Sequence, residues 1–163
     1  MAKPYVIGVD MGGTNTCFGI VDARGNVIAS SSIKTRKHAD INDYLDELHQ
    51  ELTKLIVEND AVDKINGIGV GAPNGNYFTG MIEDAPNLPW PSPLPLAQLI
   101  SDKFGIPCII TNDANAAALG EMTYGVARGL KDFIMITLGT GVGSGVVVNG
   151  QMVYGHNGFA GEL

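Results

Sequence analysis

The sequence predicts an α/β fold: a mixed sheet with helices on both faces, followed by the first strands of a second, similar unit. Three observations carry that expectation. A glycine-rich turn wedged between short apolar strands occurs twice, near residues 12–14 and again near residues 139–141. A strongly amphipathic helical stretch follows the first copy. Short buried strands then alternate with helices through the middle of the chain, the pattern of a sheet with helices packed on it.

Three apolar stretches from about Tyr5 to Ile33, joined by tight turns, read as an antiparallel meander. Asp40 then starts a helix in which Ile41, Tyr44, Leu45, Leu48, Leu52, Leu55 and Ile56 recur at three- and four-residue steps. Asp43, Glu47, Glu51 and Lys54 fall on the wet side. Ile65–Val70 is a short buried strand ending at Gly71-Ala72-Pro73-Asn74-Gly75, and Asn76–Ile82 a small hairpin or irregular excursion. Pro86, Pro89, Pro91, Pro93 and Pro95 exclude a regular helix over 85–95 and fix a rigid loop around Trp90. Packing of that tryptophan against the core is the expected role, ahead of stacking on a ligand. Leu96–Phe104 is helical, stopped by Gly105 and Pro107. Cys108–Thr111 is a strand, and Asn112-Asp113 opens an alanine-rich helix running to about Tyr124. The second meander begins at Asp132, so the domain division expected is 1–124 and 125–163. Two readings of 131–163 stay open, a small appendage or the cut start of a second lobe. The second is favoured, because a three-stranded sheet needs a packed face. Its apolar surface at Ile134, Ile136, Val146 and Val148 is then expected to be exposed and prone to self-association.

At 45% hydrophobic and 17% charged the chain is a folded globular one, and its net charge of −7 argues against a nucleic-acid partner. No segment approaches the length of a membrane span and no signal peptide precedes the first strand, so a cytoplasmic location without membrane contact is expected. Cys17 and Cys108 make neither a metal pattern nor a disulfide framework and read as inert core thiols. His38, His49 and His156 read as exposed helix or loop residues.

Glycine turns let backbone N–H groups approach phosphate oxygens, and a carboxylate or hydroxyl in such a turn can address a metal ion. Either turn alone is compatible with an ordinary hairpin. Used twice, they point to two related halves facing one ligand across a cleft. Asp10 alone is compatible with a turn-stabilising role, and Asp113 alone with a plain helix N-cap.

Asp10-Met11-Gly12-Gly13-Thr14, then Thr111-Asn112-Asp113-Ala114-Asn115-Ala116-Ala117-Ala118-Leu119-Gly120-Glu121, then Leu138-Gly139-Thr140-Gly141-Val142-Gly143-Ser144-Gly145 resemble the signature set of the ROK sugar kinases. The resemblance runs the whole chain in order, through Ala85-Pro86-Asn87-Leu88-Pro89-Trp90 and the final Gly158-Phe159-Ala160-Gly161-Glu162-Leu163. It implies an actin/hexokinase-like (ribonuclease H-like) fold whose two lobes close over Mg-ATP and a hexose. In the family a Gly-His pair, a Cys-rich segment that binds structural Zn²⁺ and a further sugar-contacting Glu follow the Gly-Glu-Leu with which this sequence ends, so Zn²⁺ is expected only beyond Leu163. Asn74 stands where relatives often have Pro-Gly together.

By that resemblance Asp113 is the catalytic base that accepts the proton of the attacking sugar hydroxyl. Asp10 acts on the nucleotide side through Mg²⁺ or its bound water, since hard cations prefer carboxylate oxygen. Gly12, Gly13, Thr14, Gly139, Thr140 and Gly141 hold the ATP phosphates. Asn87, Asn112, Asp113 and Glu162 contact the sugar, with Gly75 contributing backbone; Glu162, one residue from the end, is expected to be frayed or displaced. The expected activity is ATP-dependent phosphorylation of a hexose of glucose or N-acetylhexosamine type, with glucokinase activity foremost, and homo-oligomers in the full-length protein. A ROK sugar-responsive transcriptional repressor and an actin-like ATPase are the competing classes. The repressor is disfavoured because no helix-turn-helix segment precedes the first strand in this sequence.

Overall fold

The computed structural model describes residues 3–139 and 141–162. Thr140, one of the expected phosphate contacts, lies outside the described residues.

Strands β1 (Tyr5–Met11), β2 (Asn15–Asp22) and β3 (Val27–Lys34) form the expected meander. With β4 (Ile65–Ala72) and β5 (Cys108–Asn112) they build a five-stranded sheet of order β3-β2-β1-β4-β5. The β1–β2 and β2–β3 pairs are antiparallel, whereas β1–β4 and β4–β5 are parallel. The β2–β3 turn is closed by Asp22, whose carboxylate accepts from the backbone N–H of Arg24 and Asn26 and from the Asn26 amide, which holds it below the usual carboxylate range.

Register sorts the side chains by face. Val9 lies opposite Phe18 and Val70, and Ile7 opposite Ile20 and Ile68, so one face is continuously apolar. Helix α1 (Ile41–Glu58) covers it with Tyr44, Leu45, Leu48 and Leu52, all buried as their spacing requires. Asp40 caps α1 by accepting from the Asn42 N–H at 2.7 Å. Helix α2 (Leu96–Phe104) adds Leu96 and Ile100 to the same core and ends at Gly105, in the left-handed region at φ 64°. Trp90 is buried with its ring 4.6 Å from that of Tyr44, the packing role expected of it. The excursion after β4 is irregular, with only lone bridges from Ile82 to Gly75 and to Leu94.

Helix α3 (Asp113–Tyr124) lies on the opposite face. A Cβ on Gly71 would stand 3.2 Å from Ala116 Cβ, so bare backbone there is what lets α3 approach the sheet. The other side of α3 carries the second sheet, β6 (Phe133–Leu138), β7 (Val142–Val148) and β8 (Gln151–Met152), all antiparallel. A Cβ on Gly145 would stand 2.6 Å from Ala118 Cβ and 2.8 Å from the Ala114 carbonyl, so β7 is pressed onto α3 through glycine. Ile134, Ile136 and Val148 are exposed, as expected, while Val146 is half-buried. Among the described residues no helix is long and apolar enough to cross a membrane.

Cys17, His38 and His49 depart from what the sequence led one to expect. Cys17 is exposed, because it pairs with Asp10 on the face that α3 covers only in part. Cys108, by contrast, is half-buried against the core as expected, and burial pushes its thiol up to about 12. His38 and His49 are half-buried, not exposed: His38 Nε2 lies 2.6 Å from Glu47, and the His49 ring packs on Phe104 at 4.8 Å. Hydrogen bonds from Lys37, then His38, hold the Glu47 carboxyl below its usual range.

Candidate functional site

Because β1, β4 and β5 run parallel, their carboxyl ends, Met11, Ala72 and Asn112, meet at one edge of the sheet. Ligands of open α/β sheets bind outside such an edge. The sequence places a turn, a loop and a helix start there.

The turn after β1 is closed by the Gly12 N–H donating to the Asn15 carbonyl at 2.9 Å. A Cβ on Gly12 would lie 2.9 Å from that same oxygen, so no larger residue fits without movement. Gly13 abuts the Asn87 loop, since a Cβ there would stand 3.3 Å from the Asn87 carbonyl. Thr14 and Asn87 are both exposed at this edge. Gly75 is buried under the Thr111 carbonyl, where a Cβ would come within 2.5 Å, so only its backbone is available. Asn74, beside it, takes φ 52° and ties its amide to the Asp84 carbonyl at 2.7 Å.

Asn112 and Asp113 stand at the β5–α3 junction. The Ala114 N–H is accepted by both Asn112 Oδ1 (2.8 Å) and Asp113 Oδ1 (2.7 Å), which leaves the exposed Asp113 carboxylate at the helix N-terminus. The Asn112 amide is free to donate elsewhere, and it donates to Glu162 Oε1 at 2.7 Å. Glu162 is therefore neither frayed nor displaced. Its segment is held by the Ser144 hydroxyl donating to the Gly161 carbonyl at 2.6 Å and by the Asn76 amide donating to the Asn157 carbonyl at 2.8 Å. Tyr77 and Tyr154 stack at 4.4 Å and 6° between the same two segments. Sequence reasoning passed over Asn76, Ser144 and this aromatic pair. Only the adjacent Tyr77-Phe78, exposed aromatics next to a glycine turn, offered a signal.

Asp10 projects from β1 on the α3 side, level with Gly71. Partial burial, then the negative charge of Asp113, push its carboxyl above the ordinary range. A carboxylate so placed offers the hard oxygen donor that a divalent cation prefers. β7, which follows the second glycine turn, passes the N-terminal end of α3. A Cβ on Gly143, just beyond that turn, would lie 3.1 Å from Ala114 Cβ, beside Asp113. Gly139 and Gly141 close on each other through a 3.0 Å backbone hydrogen bond, and both are exposed. Asp10 and Thr111 also line a 980 Å³ trough together with Ile109, Ala116, Leu119 and Tyr124.

Asp10, Asn112, Asp113 and Glu162 thus meet at the N-terminal end of α3, and Asn87 stands beside the turn that follows Asp10. Residues 6–163 match the model of the ROK family. This chain belongs to the ROK family. Within it, the chain is similar to a glucokinase of Halalkalibacterium halodurans, 37% identical over all of this chain and 50% of that protein. It is also 32% identical to a xylose repressor of Caldicellulosiruptor bescii, over 97% of this chain and 40% of the repressor. Among solved structures it resembles a ROK family glucokinase from Streptomyces griseus in complex with glucose and AMPPNP, with a TM-score of 0.81 and 31% identity over 97% of this chain and 49% of that one. The fold is accordingly the actin-like one of ROK hexokinases and glucokinases. The chain spans about half the length of the relatives it matches.

Proposed function

We propose that this ROK chain carries the acceptor site and both phosphate turns of an ATP-dependent hexose kinase, with glucose or an N-acetylhexosamine as acceptor. Residues 1–124 form the first lobe in this reading and 125–163 the start of the second. The observation that supports it most is the exposed Asp113 carboxylate set at a helix N-terminus, next to an Asn112–Glu162 pair and across from Asp10.

The chemistry needs an anchored nucleotide and a hydroxyl positioned in line with the γ-phosphorus. Asn112, Glu162 and Asn87 supply donors and acceptors of the kind that read sugar hydroxyls, and Gly75 adds backbone. Asp113 accepts the proton of the acceptor hydroxyl as its oxygen bonds to the γ-phosphorus, and the bond from that phosphorus to the ADP oxygen breaks. Gly12, Gly13 and Thr14 from one side and Gly139, Thr140 and Gly141 from the other hold the phosphates through backbone N–H groups and threonine hydroxyls. Asp10 would hold Mg²⁺, directly or through water, and that ion when bound would offset charge on the phosphates. Homo-oligomerisation of the full-length protein is part of the same proposal.

A sugar-responsive regulator is the second reading, favoured by the similarity to a xylose repressor. The two share a sugar pocket and differ in whether a proton acceptor is needed beside it. A coupled assay on the full-length protein, offering ATP with glucose, mannose or N-acetylglucosamine, separates them. Sugar-dependent ADP release supports the kinase. Sugar binding without ADP release points to the regulator, and ADP release independent of sugar to an actin-like ATPase.

A further inference from the structure

The Gly12–Thr14 turn and the Asn87 loop are both held by consecutive residues of a short 3-10 turn, Thr35–Lys37, that no signature motif includes. Thr35 is fully buried. Its N–H donates to the Thr14 carbonyl at 3.0 Å and its hydroxyl to the Gly12 carbonyl at 2.7 Å, so one residue grips both ends of the glycine turn. Behind it, Thr16 Oγ1 lies 2.9 Å from Thr35 Oγ1 and 2.9 Å from the Tyr44 hydroxyl. A carbonyl only accepts, so Thr35 commits its single hydroxyl proton to Gly12. Thr35 must then accept from Thr16, and Thr16 from Tyr44. The whole buried chain is directed at Gly12. Burial also drives the Tyr44 phenol well above its ordinary value, which keeps the donor at the far end protonated.

Arg36, the next residue, is exposed and turns the other way. Its Nε and Nη2 donate to the Asn87 carbonyl at 3.2 and 2.7 Å. Tyr44 also packs on Trp90, three residues beyond Asn87, and Gly13 abuts Asn87 itself. The turn and the loop are thus held from one short segment.

We propose that Thr35 and Arg36 are positioning residues, a two-sided clamp that fixes the spacing between the nucleotide turn and the sugar-contacting loop. Neither is assigned contact with substrate. The inference rests on the hexose-kinase reading for the identity of what the two loops hold.

The test uses the full-length protein, with steady-state kinetics against ATP and glucose and amide hydrogen exchange on Thr35→Val, Thr35→Ser and Arg36→Ala. Thr35→Val raises the KM for ATP by about tenfold and speeds exchange at 12–14, while Thr35→Ser stays near wild type. Arg36→Ala raises the KM for glucose by a similar factor and speeds exchange around residue 87. A purely structural role lowers the melting temperature and leaves both KM values unchanged, which overturns the clamp. If the wild-type protein phosphorylates no hexose, the kinase reading falls, and hydrogen exchange judges the clamp by itself: unchanged exchange at 12–14 and 87 overturns it. Should Thr35→Val fail to fold, the exposed Arg36→Ala decides, and an unchanged glucose KM with unchanged exchange rejects the proposal.

Discussion

The side-chain amide of Asn112 donates to the carboxylate of Glu162 at 2.7 Å, joining the end of β5 to a segment fifty residues later. The same Asn112 caps α3 with its oxygen, so its amide has a fixed direction. In the proposed kinase, a sugar entering this edge would meet the two side chains as one preset unit. Glu162→Ala in the full-length protein is predicted to raise the glucose KM by roughly ten- to a hundredfold, the scale of a lost hydrogen bond to a charged group. Equilibrium glucose titration checks it. An unchanged affinity rules Glu162 out of the sugar site.

Asp10 gives a prediction about pH. Its carboxyl is raised by burial and by Asp113, so the folded state binds that proton more tightly than the unfolded state does. Its contribution to stability is full below the ordinary aspartate range and is lost as pH rises through the raised folded value. Asp10→Asn removes the ionised form altogether. It should therefore melt higher than wild type at neutral pH, with the difference shrinking toward acid, while phosphoryl transfer falls. A lower melting temperature at neutral pH would contradict the penalty assigned to the ionised Asp10 carboxyl by its burial and, second, by Asp113.

Gly145 sits where β7 meets α3, with no room for a Cβ between Ala118 and the Ala114 carbonyl. Gly145→Ala is predicted to cost about 1–3 kcal/mol, the range for overpacking a tight contact. Gly141→Ala, at an exposed turn where nothing lies within 4 Å of a new Cβ, should cost less. Denaturant titration of both variants compares them directly.

The 163-residue chain on its own exposes Ile134, Ile136, Leu138 and Val148 along the second sheet. Such a contiguous apolar face predicts concentration-dependent self-association. Sedimentation at rising concentration checks it, and a monomer throughout would contradict it.

Much of this architecture was legible in the residues. Helix α2 begins after Pro95 and ends at Gly105, as its proline and glycine punctuation demands, and α3 begins at Asp113 because Asn112 is a ready cap. The apolar spacing of α1 gave its buried face directly. What stayed hidden depends on contacts between distant segments. Nothing local tells that Asn76 reaches Asn157, or that Ser144 reaches Gly161, yet these hold Glu162 in place. Arg36 sits in a short basic run that reads as solvated surface, and its partner is a backbone carbonyl, which no side-chain pattern reveals. Cys17 follows the apolar alternation of β2 but belongs to the face that α3 leaves partly open.

In the proposed reaction everything turns on Asp113 as the group that takes the acceptor proton. The decisive measurement is the turnover of full-length Asp113→Asn with ATP and glucose, taken together with its glucose affinity. The prediction is a fall in kcat of about a thousandfold with glucose binding within a few-fold of wild type. Turnover at the wild-type rate with the carboxylate gone would contradict it.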